Sequence, residues 1–324
     1  MYSLEKTQDL IAEAVQNLKF NNEPVELYEP IHYVLSSGGK RIRPVMTVMS
    51  ANLFTENIEE AIKPALGLEI FHNFTLLHDD IMDEADLRRN VPTVHKKWDQ
   101  NVAILSGDVM AILAYEYITS CSKEKLPEVI RVFNTIARQV CEGQQYDMNF
   151  EAKKKVTVEE YLKMIEMKTS VLLAGCMKIG AIIGGANTKD AMLLSAFGRD
   201  IGMAFQIQDD LLDTFGDQEV FGKEIGGDIV ANKKTYLLIK AMENANGKQK
   251  AALKKLFLEK PDNPEKKILA TKEIFNEMKI EDMTRELALK YYKDANNSLE
   301  KVSVPKKKKE GLIHLANLLL SRNK

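Results

Sequence analysis

Two short acidic clusters carry the clearest chemistry in this sequence. Asp79-Asp80-Ile81-Met82-Asp83 and Asp209-Asp210-Leu211-Leu212-Asp213 share the pattern DDxxD and begin 130 residues apart (209 − 79). On a helix, residues four apart share a face, with Cβ atoms about 5–6 Å from each other. Asp79 with Asp83, and Asp209 with Asp213, can therefore grip cations together. Carboxylates so crowded repel one another and resist burial unless a cation neutralises them. Oxygen ligands without a His/Cys set suit Mg²⁺, which keeps waters and commonly bridges to substrate phosphates. A solvated acidic helix end would account for either cluster alone. Aspartate is disfavoured at a helix C-terminus by the macrodipole, however, and two copies in matching contexts favour a metal site.

Cationic residues follow the same distribution. Gly38-Gly39-Lys40-Arg41-Ile42-Arg43-Pro44 places three positive charges after a flexible turn. Arg88-Arg89 comes shortly after the first acidic cluster, and Lys223, Lys233 and Lys234 come after the second. Basic side chains beside a Mg²⁺ carboxylate site suit a diphosphate, whose oxygens are divided between metal and Arg or Lys. Gly38-Gly39-Lys40 is not a P-loop, because GxxxxGK[ST] is absent and no strand precedes it. The five histidines, at 32, 72, 78, 95 and 314, form no pair at ligand spacing, which argues against a hydrolase metal triad built on His78.

The elements that must position these groups read as helices. Leu4, Ile11, Val15 and Leu18 recur at helical spacing, as do Leu66, Ile70, Phe74 and Leu77. Similar stripes run through roughly 98–120, 126–149, 157–185 and 190–214, and again from 233 to 322. Strand-like alternation bounded by turn pairs is absent, and Ala, Leu, Met, Lys and Glu abound. The expectation is all-α: one domain, residues 1–324, of about a dozen mostly antiparallel helices. Pro30, Pro44, Pro64, Pro92, Pro127 and Pro305 are expected at helix starts or just past helix ends. The segment 216–227, with Gly216, Gly222, Gly226 and Gly227, reads as a long irregular and functional connection, expected to close over the site.

Composition removes several classes. With 45 Lys+Arg against 47 Asp+Glu, a net charge of −2, no basic excess exists for a nucleic-acid binder. Three widely spaced cysteines, 121, 141 and 176, give neither a disulfide framework nor a zinc motif. They are expected to be small buried apolar residues in a reducing cytoplasm. The opening MYSLEKTQDLIAEA mixes charge into its apolar residues, unlike a secretory signal. The most apolar stretch, Ser170 to Gly185, is broken by Lys178 and reads as too short to span a bilayer, so a soluble protein without stable membrane insertion is expected.

Taken in order, GGKRIRP at 38–44, HNFTLLHDDIMDEADLRRNVPTVH at 72–95, GQQYD at 143–147, EMKTS at 166–170, FQIQDDLLDTFGD at 205–217, and GKEIGGDI with NKKTY within 222–236 resemble the trans-type isoprenyl diphosphate synthases, the polyprenyl synthetases. The resemblance implies a homodimeric helical bundle around a central apolar cavity and three Mg²⁺ ions per active site. It implies an ionisation–condensation–elimination reaction between isopentenyl diphosphate and an allylic diphosphate (dimethylallyl, geranyl or farnesyl). By motif position, Asp79, Asp83 and Asp209 would ligate Mg²⁺, with Asp80, Asp210 and Asp213 acting through water or as supporting partners. Arg88, Lys168, Lys223 and Lys233 would hold the allylic diphosphate, and Lys40, Arg43, His72 and Arg89 the isopentenyl diphosphate. Thr169 and Gln206 would lie beside the reacting carbon.

In such a family the growing tail runs from the first aspartate motif along its helix, one turn of which is about 5.4 Å. Phe74 lies five residues before Asp79 and Phe71 eight. An aromatic at the fifth position resembles the short-chain members, so C15 to C20 products are expected. The first motif lacks the two extra residues found in many bacterial farnesyl synthases, which keeps geranylgeranyl diphosphate beside farnesyl. A terpene cyclase of the same architecture, or a non-catalytic regulatory subunit, are the competing readings. The Lys40/Arg43 group and the two intact aspartate motifs speak against each in turn.

Overall fold

Helix initiation is locally encoded. Ser3 accepts a hydrogen bond from Lys6 N ahead of α1 (Leu4–Gln16), and Asp99 from Val102 N ahead of α6 (Gln100–Ile118). Thr157 and Glu160 form a reciprocal capping box that opens α8 (Val158–Ile165). Each such cap contributes about 1 kcal/mol. A computed structural model describes residues 2–216, 225–258 and 263–321. Its remaining helices are α2 (Val25–Ser36), α3 (Ile42–Asn52), α4 (Glu59–Met82), α5 (Val94–Lys97), α7 (Leu126–Ala152), α9 (Val171–Gly184) and α10 (Thr188–Phe215). They continue with α11 (Gly227–Val230), α12 (Tyr236–Asn244), α13 (Gly247–Leu258), α14 (Pro264–Glu277), α15 (Ile280–Glu300) and α16 (Lys306–Leu320). The all-α expectation holds, and the helical stripes fall where periodicity placed them.

Contacts divide the chain into two compact units, each assembled from separate stretches. The first comprises Met1–Thr135, Gly175–Ser195 and Lys301–Leu312; the second comprises Ile136–Ala174, Ala196–Glu300 and Ile313–Lys324. In the first, α4 packs along α6 and against α3. At Gly67 of α4 an added Cβ would lie 2.7 Å from the Ile118 side chain and 2.9 Å from Ala114 O, so only glycine lets the two helices approach this closely. In the second unit, Tyr161, Ile207, Ile239 and Ala288 form one apolar cluster, and Leu211, Leu237, Leu253, Phe275 and Ile280 another.

Four expectations need correction. A two-residue antiparallel ladder, β1 (Leu87–Arg88) with β2 (Val91–Pro92), interrupts the helices. Its loop, Arg89-Asn90, has φ of 53° and 63°, the positive pair that a tight hairpin turn requires. Pro30 and Pro64 lie inside α2 and α4 rather than at their ends. Both are buried, and tertiary packing outweighs the missing backbone hydrogen bond. Cys121 and Cys176 are buried as expected, but Cys141 is exposed. Finally, the apolar run around Ser170–Gly185 continues through a π-turn into α8. The helical stretch Val158–Gly184 is 27 residues long, and it and Gln100–Ile118 are both long and apolar enough to cross a membrane. Length therefore does not exclude a span; the burial of 72% of the apolar window in Val158–Gly184 marks it as a core helix.

Candidate active site

In the first unit the acidic motif occupies the last turn of α4, with Asp83 as its C-cap and Asp83 N bonded to Asp79 O at 2.9 Å. The helix thus continues far enough to stack Asp79 and Asp83 on one face. Asp80 is buried, and burial, opposed by the Arg88 guanidinium, pushes its pKa up to about 6. Arg88 donates from Nε to Asp80 Oδ1 at 2.6 Å and from Nη2 to Asp79 Oδ2 at 3.3 Å. The chain already reverses at the end of α4, where Glu84 has φ 51° and Ala85 N donates to Asp80 O at 3.0 Å, and the hairpin turn sends the adjacent Arg89 elsewhere, to Gly38 O in the glycine turn before α3.

That turn begins a second cationic group. Gly38 and Gly39 have φ of 84° and 122°, and Arg41 is itself left-handed at 46°. Arg41 donates to Glu69 Oε1 at 2.6 Å and to Leu35 O, while Asn73 Nδ2 donates to Glu69 Oε1 at 3.1 Å. Glu69 is only 3% exposed, and sequence reasoning missed it. Arg43, Arg89, Arg88 and Arg41 all face His72, and burial together with these charges holds the imidazole well below its ordinary pKa, hence neutral. Arg43 Nε is buried and finds no hydrogen-bond partner among the described residues. Several guanidinium groups around one buried carboxylate, with a donor left over, make a cradle for an anion richer in charge than Glu69. Lys40 stands exposed at its edge.

In the second unit the segment Glu166–Ser170 is a π-turn between α8 and α9, a device that inserts one residue and is frequent at functional sites. It presents two consecutive side chains. Lys168 Nζ donates to Asp147 Oδ2 of α7 at 2.7 Å, and Thr169 Oγ1 to Gln206 Oε1 of α10 at 3.1 Å. Gln206 Nε2 passes the chain on to Asp210 Oδ1 at 3.0 Å, and the buried Tyr161 hydroxyl donates to Asp210 Oδ2 at 2.5 Å. Burial first, then the Asp228 charge, pushes Asp210 up to about 8, against the hydrogen bonds from Tyr161 and Gln206. Asp209 is half-buried one residue earlier. Asp213 accepts from Asp228 N at 2.9 Å through Oδ2 and from Gly226 N at 2.6 Å through its carbonyl. Lys233 lies 3.4 Å from Asp228 and is exposed. Tyr161 lies outside every motif read from the sequence, and Asp228 stands inside GKEIGGDI without a role assigned to it there. Lys223 and most of the glycine-rich connection lie outside the described residues.

The donor sets fit Mg²⁺. Each unit holds an all-oxygen aspartate cluster containing one carboxylate whose charge is disfavoured by burial, a cost that a divalent ion would relieve. Among the described residues no three His, Cys, Asp or Glu groups cage an ion unaided. The aromatic residues before Asp79 form a wall. Phe74 meets His78 edge-on at 4.8 Å and Phe71 at 5.6 Å, while Phe71 is buried against Phe133 at 5.1 Å.

Comparison with known proteins agrees with this chemistry. A geranylgeranyl diphosphate synthase of Methanosarcina mazei is 43% identical over 71% of this chain and 72% of its own length. One from Sulfolobus acidocaldarius is 38% identical over 92% of each. The crystal structure of a geranylgeranyl pyrophosphate synthase, 41% identical, superposes with a TM-score of 0.95 over all of both chains. The sequence pattern of polyprenyl synthetases matches residues 24–277, a span that contains both aspartate motifs and both cationic groups, and the chain belongs to that family.

Proposed function

We propose that this chain is a Mg²⁺-dependent trans-prenyltransferase that condenses isopentenyl diphosphate with an allylic diphosphate to give a C15–C20 prenyl diphosphate. The observation that carries it is the pairing, in each unit, of a buried DDxxD carboxylate with its own set of directed donors. Asp79, Asp83 and Asp209 would hold the ions, three in number, supported by Asp80, Asp210 and Asp213. Magnesium, when bound, supplies positive charge against the departing diphosphate. Arg88, Lys168, Lys223 and Lys233 hold that diphosphate as the allylic C–O bond breaks and its electron pair leaves with oxygen. Lys40, Arg43, His72 and Arg89 hold the isopentenyl diphosphate, whose double bond attacks the allylic carbon; a proton then departs to the released diphosphate. Thr169 Oγ1 and Gln206 Oε1 turn oxygen toward the positive charge that develops. Incubating the purified chain with Mg²⁺, isopentenyl diphosphate and each allylic diphosphate in turn should give prenyl diphosphates identified by mass. Hydrocarbon released from an allylic diphosphate alone would indicate a cyclase, and no product at all a subunit without catalysis.

Phe74, half-exposed one turn and a half before Asp79, is the proposed floor for the product tail, with the buried Phe71 behind it. Phe74→Ala is expected to shift the product distribution upward by at least one C5 unit while turnover persists. An unchanged distribution in the same mass-spectrometric assay would remove Phe74 from this role.

A homodimer is the proposed assembly. Leu105 and Ile112 of α6 stand seven residues apart, two turns along one face, and are 56% and 60% exposed. An apolar stripe of this kind on a helix otherwise packed into its unit suits a second copy of the same surface. Sedimentation should give a dimer for the wild type and a monomer for Leu105→Glu/Ile112→Glu; a monomeric wild type would refute the assembly.

A further inference from the structure

Lysine is almost never fully buried without an acidic partner, yet Lys267 of α14 is 3% exposed. Burial pushes its pKa down, and among the described residues no carboxylate counters that effect. Its ammonium donates to Asn232 Oδ1 at 2.5 Å and sits 4.8 Å from the centroid of the Phe257 ring. Neither α14 nor Phe257 carries any group assigned to the reaction, so the burial of this cation has to be explained by what Asn232 does.

Asn232 follows Ala231, the C-cap of the short helix α11. Its N–H donates to Ile229 O at 3.2 Å, and its φ of 56° places it in the left-handed region that Asn tolerates better than most side chains. Lys233 comes next. Its backbone N–H donates to Asp228 O at 2.9 Å and its ammonium lies 3.4 Å from Asp228 Oδ1. Asp228 N and Gly226 N in turn both donate to Asp213 of the second acidic motif. The stretch 226–233 is thus one block, tied at its beginning to Asp213. Its other attachment is α14: Gly226, at φ 87°, leaves room for the Ile268 side chain, which an added Cβ would approach to 2.6 Å, and Lys267 fastens Asn232 one residue before Ile268.

We infer that Lys267 is a positioning residue for diphosphate binding, acting through Asn232 to fix the turn from which Lys233 extends. This rests on the reading of Lys233 as an allylic diphosphate ligand, and it assigns the role to a residue outside all of the acidic and basic motifs. The hydrogen bond from an ammonium is worth enough that its loss should weaken diphosphate binding about tenfold.

The test is a cycle of Lys267→Met, which keeps the stem and removes the donor, and Asn232→Gly, which keeps the left-handed turn and removes the acceptor. Each single variant should raise KM for the allylic diphosphate about tenfold and leave KM for isopentenyl diphosphate within twofold, and the double variant should be no worse than either. Additive losses, equal changes in both KM values, or a lowered Tm with wild-type constants would overturn the inference, because each describes a residue serving the fold alone. Calorimetric binding of inorganic diphosphate with Mg²⁺ to the same four proteins separates this from the functional reading. A wild type that binds diphosphate but makes no prenyl product defeats the proposed reaction, while the same non-additive weakening across the cycle would still support the clamp; equal binding by all four would defeat it.

Discussion

Gly143→Ala is expected to lower turnover about a hundredfold in a chain that still folds. Gly143 lies on α7 directly against the π-turn; a Cβ there would come within 2.6 Å of the Met167 carbonyl carbon and 2.7 Å of Lys168 Cα. These are backbone atoms and cannot rotate aside, so the turn itself must move. One helical turn further along α7, Asp147 receives the Lys168 ammonium. The same helix therefore supplies the room for the π-turn and the partner that aims its lysine. Overpacking of this kind costs about 1–3 kcal/mol of stability, and displacement of a positioned group by about 1 Å can cost a hundredfold in rate. Turnover at saturating substrate, measured beside the thermal transition, checks both parts. Activity within threefold of wild type would mean that the placement of Lys168 and Thr169 has little bearing on rate.

Asp79→Asn and Asp209→Asn, made separately, are each expected to lower kcat by about 10²–10³, the usual penalty for removing one preorganised group that stabilises charge in the transition state. Asparagine keeps the shape and much of the hydrogen bonding, so neither variant should unfold. The two are proposed to serve one leaving group, and the double variant should therefore fall well short of the product of the single losses. Initial rates across a Mg²⁺ titration give the comparison. Either single variant turning over normally would remove that aspartate from the site.

Much of this organisation was legible in the residues. The two aspartate motifs announced themselves by repetition, and the helices by apolar spacing with caps such as Ser3, Asp99 and Thr157 at their starts. What escaped notice shares a physical cause: it is created by tertiary contact. Glu69 and Tyr161 sit in apolar helical stripes and look like core positions. Their partners, Arg41 and Asp210, lie 28 and 49 residues away, and only folding reveals that burial and polarity meet there. The π-turn over Glu166–Ser170 uses ordinary helix-forming residues and shows itself only where it lies against Gly143 of α7. The Arg89-Asn90 hairpin has flanks of two residues each, too short for alternation to register, and its arginine pair read as charge alone. Lys267 gave no signal, since a lysine in a charged helix is ordinarily solvated.

The two-pronged grip of Arg88 on Asp79 and Asp80 bears on the order in which metal and substrate would bind at the first acidic motif. These carboxylates already possess a counter-ion, so a divalent cation arriving alone must compete with a guanidinium. Once a diphosphate is at hand, Arg88 can exchange carboxylate oxygens for phosphate oxygens and free the aspartates at little net cost. On the proposed roles, occupancy by the metal and by the allylic substrate would be thermodynamically linked, each tightening the other by the same factor. The enzyme would accordingly sequester little magnesium at rest and take it up together with its anionic cargo.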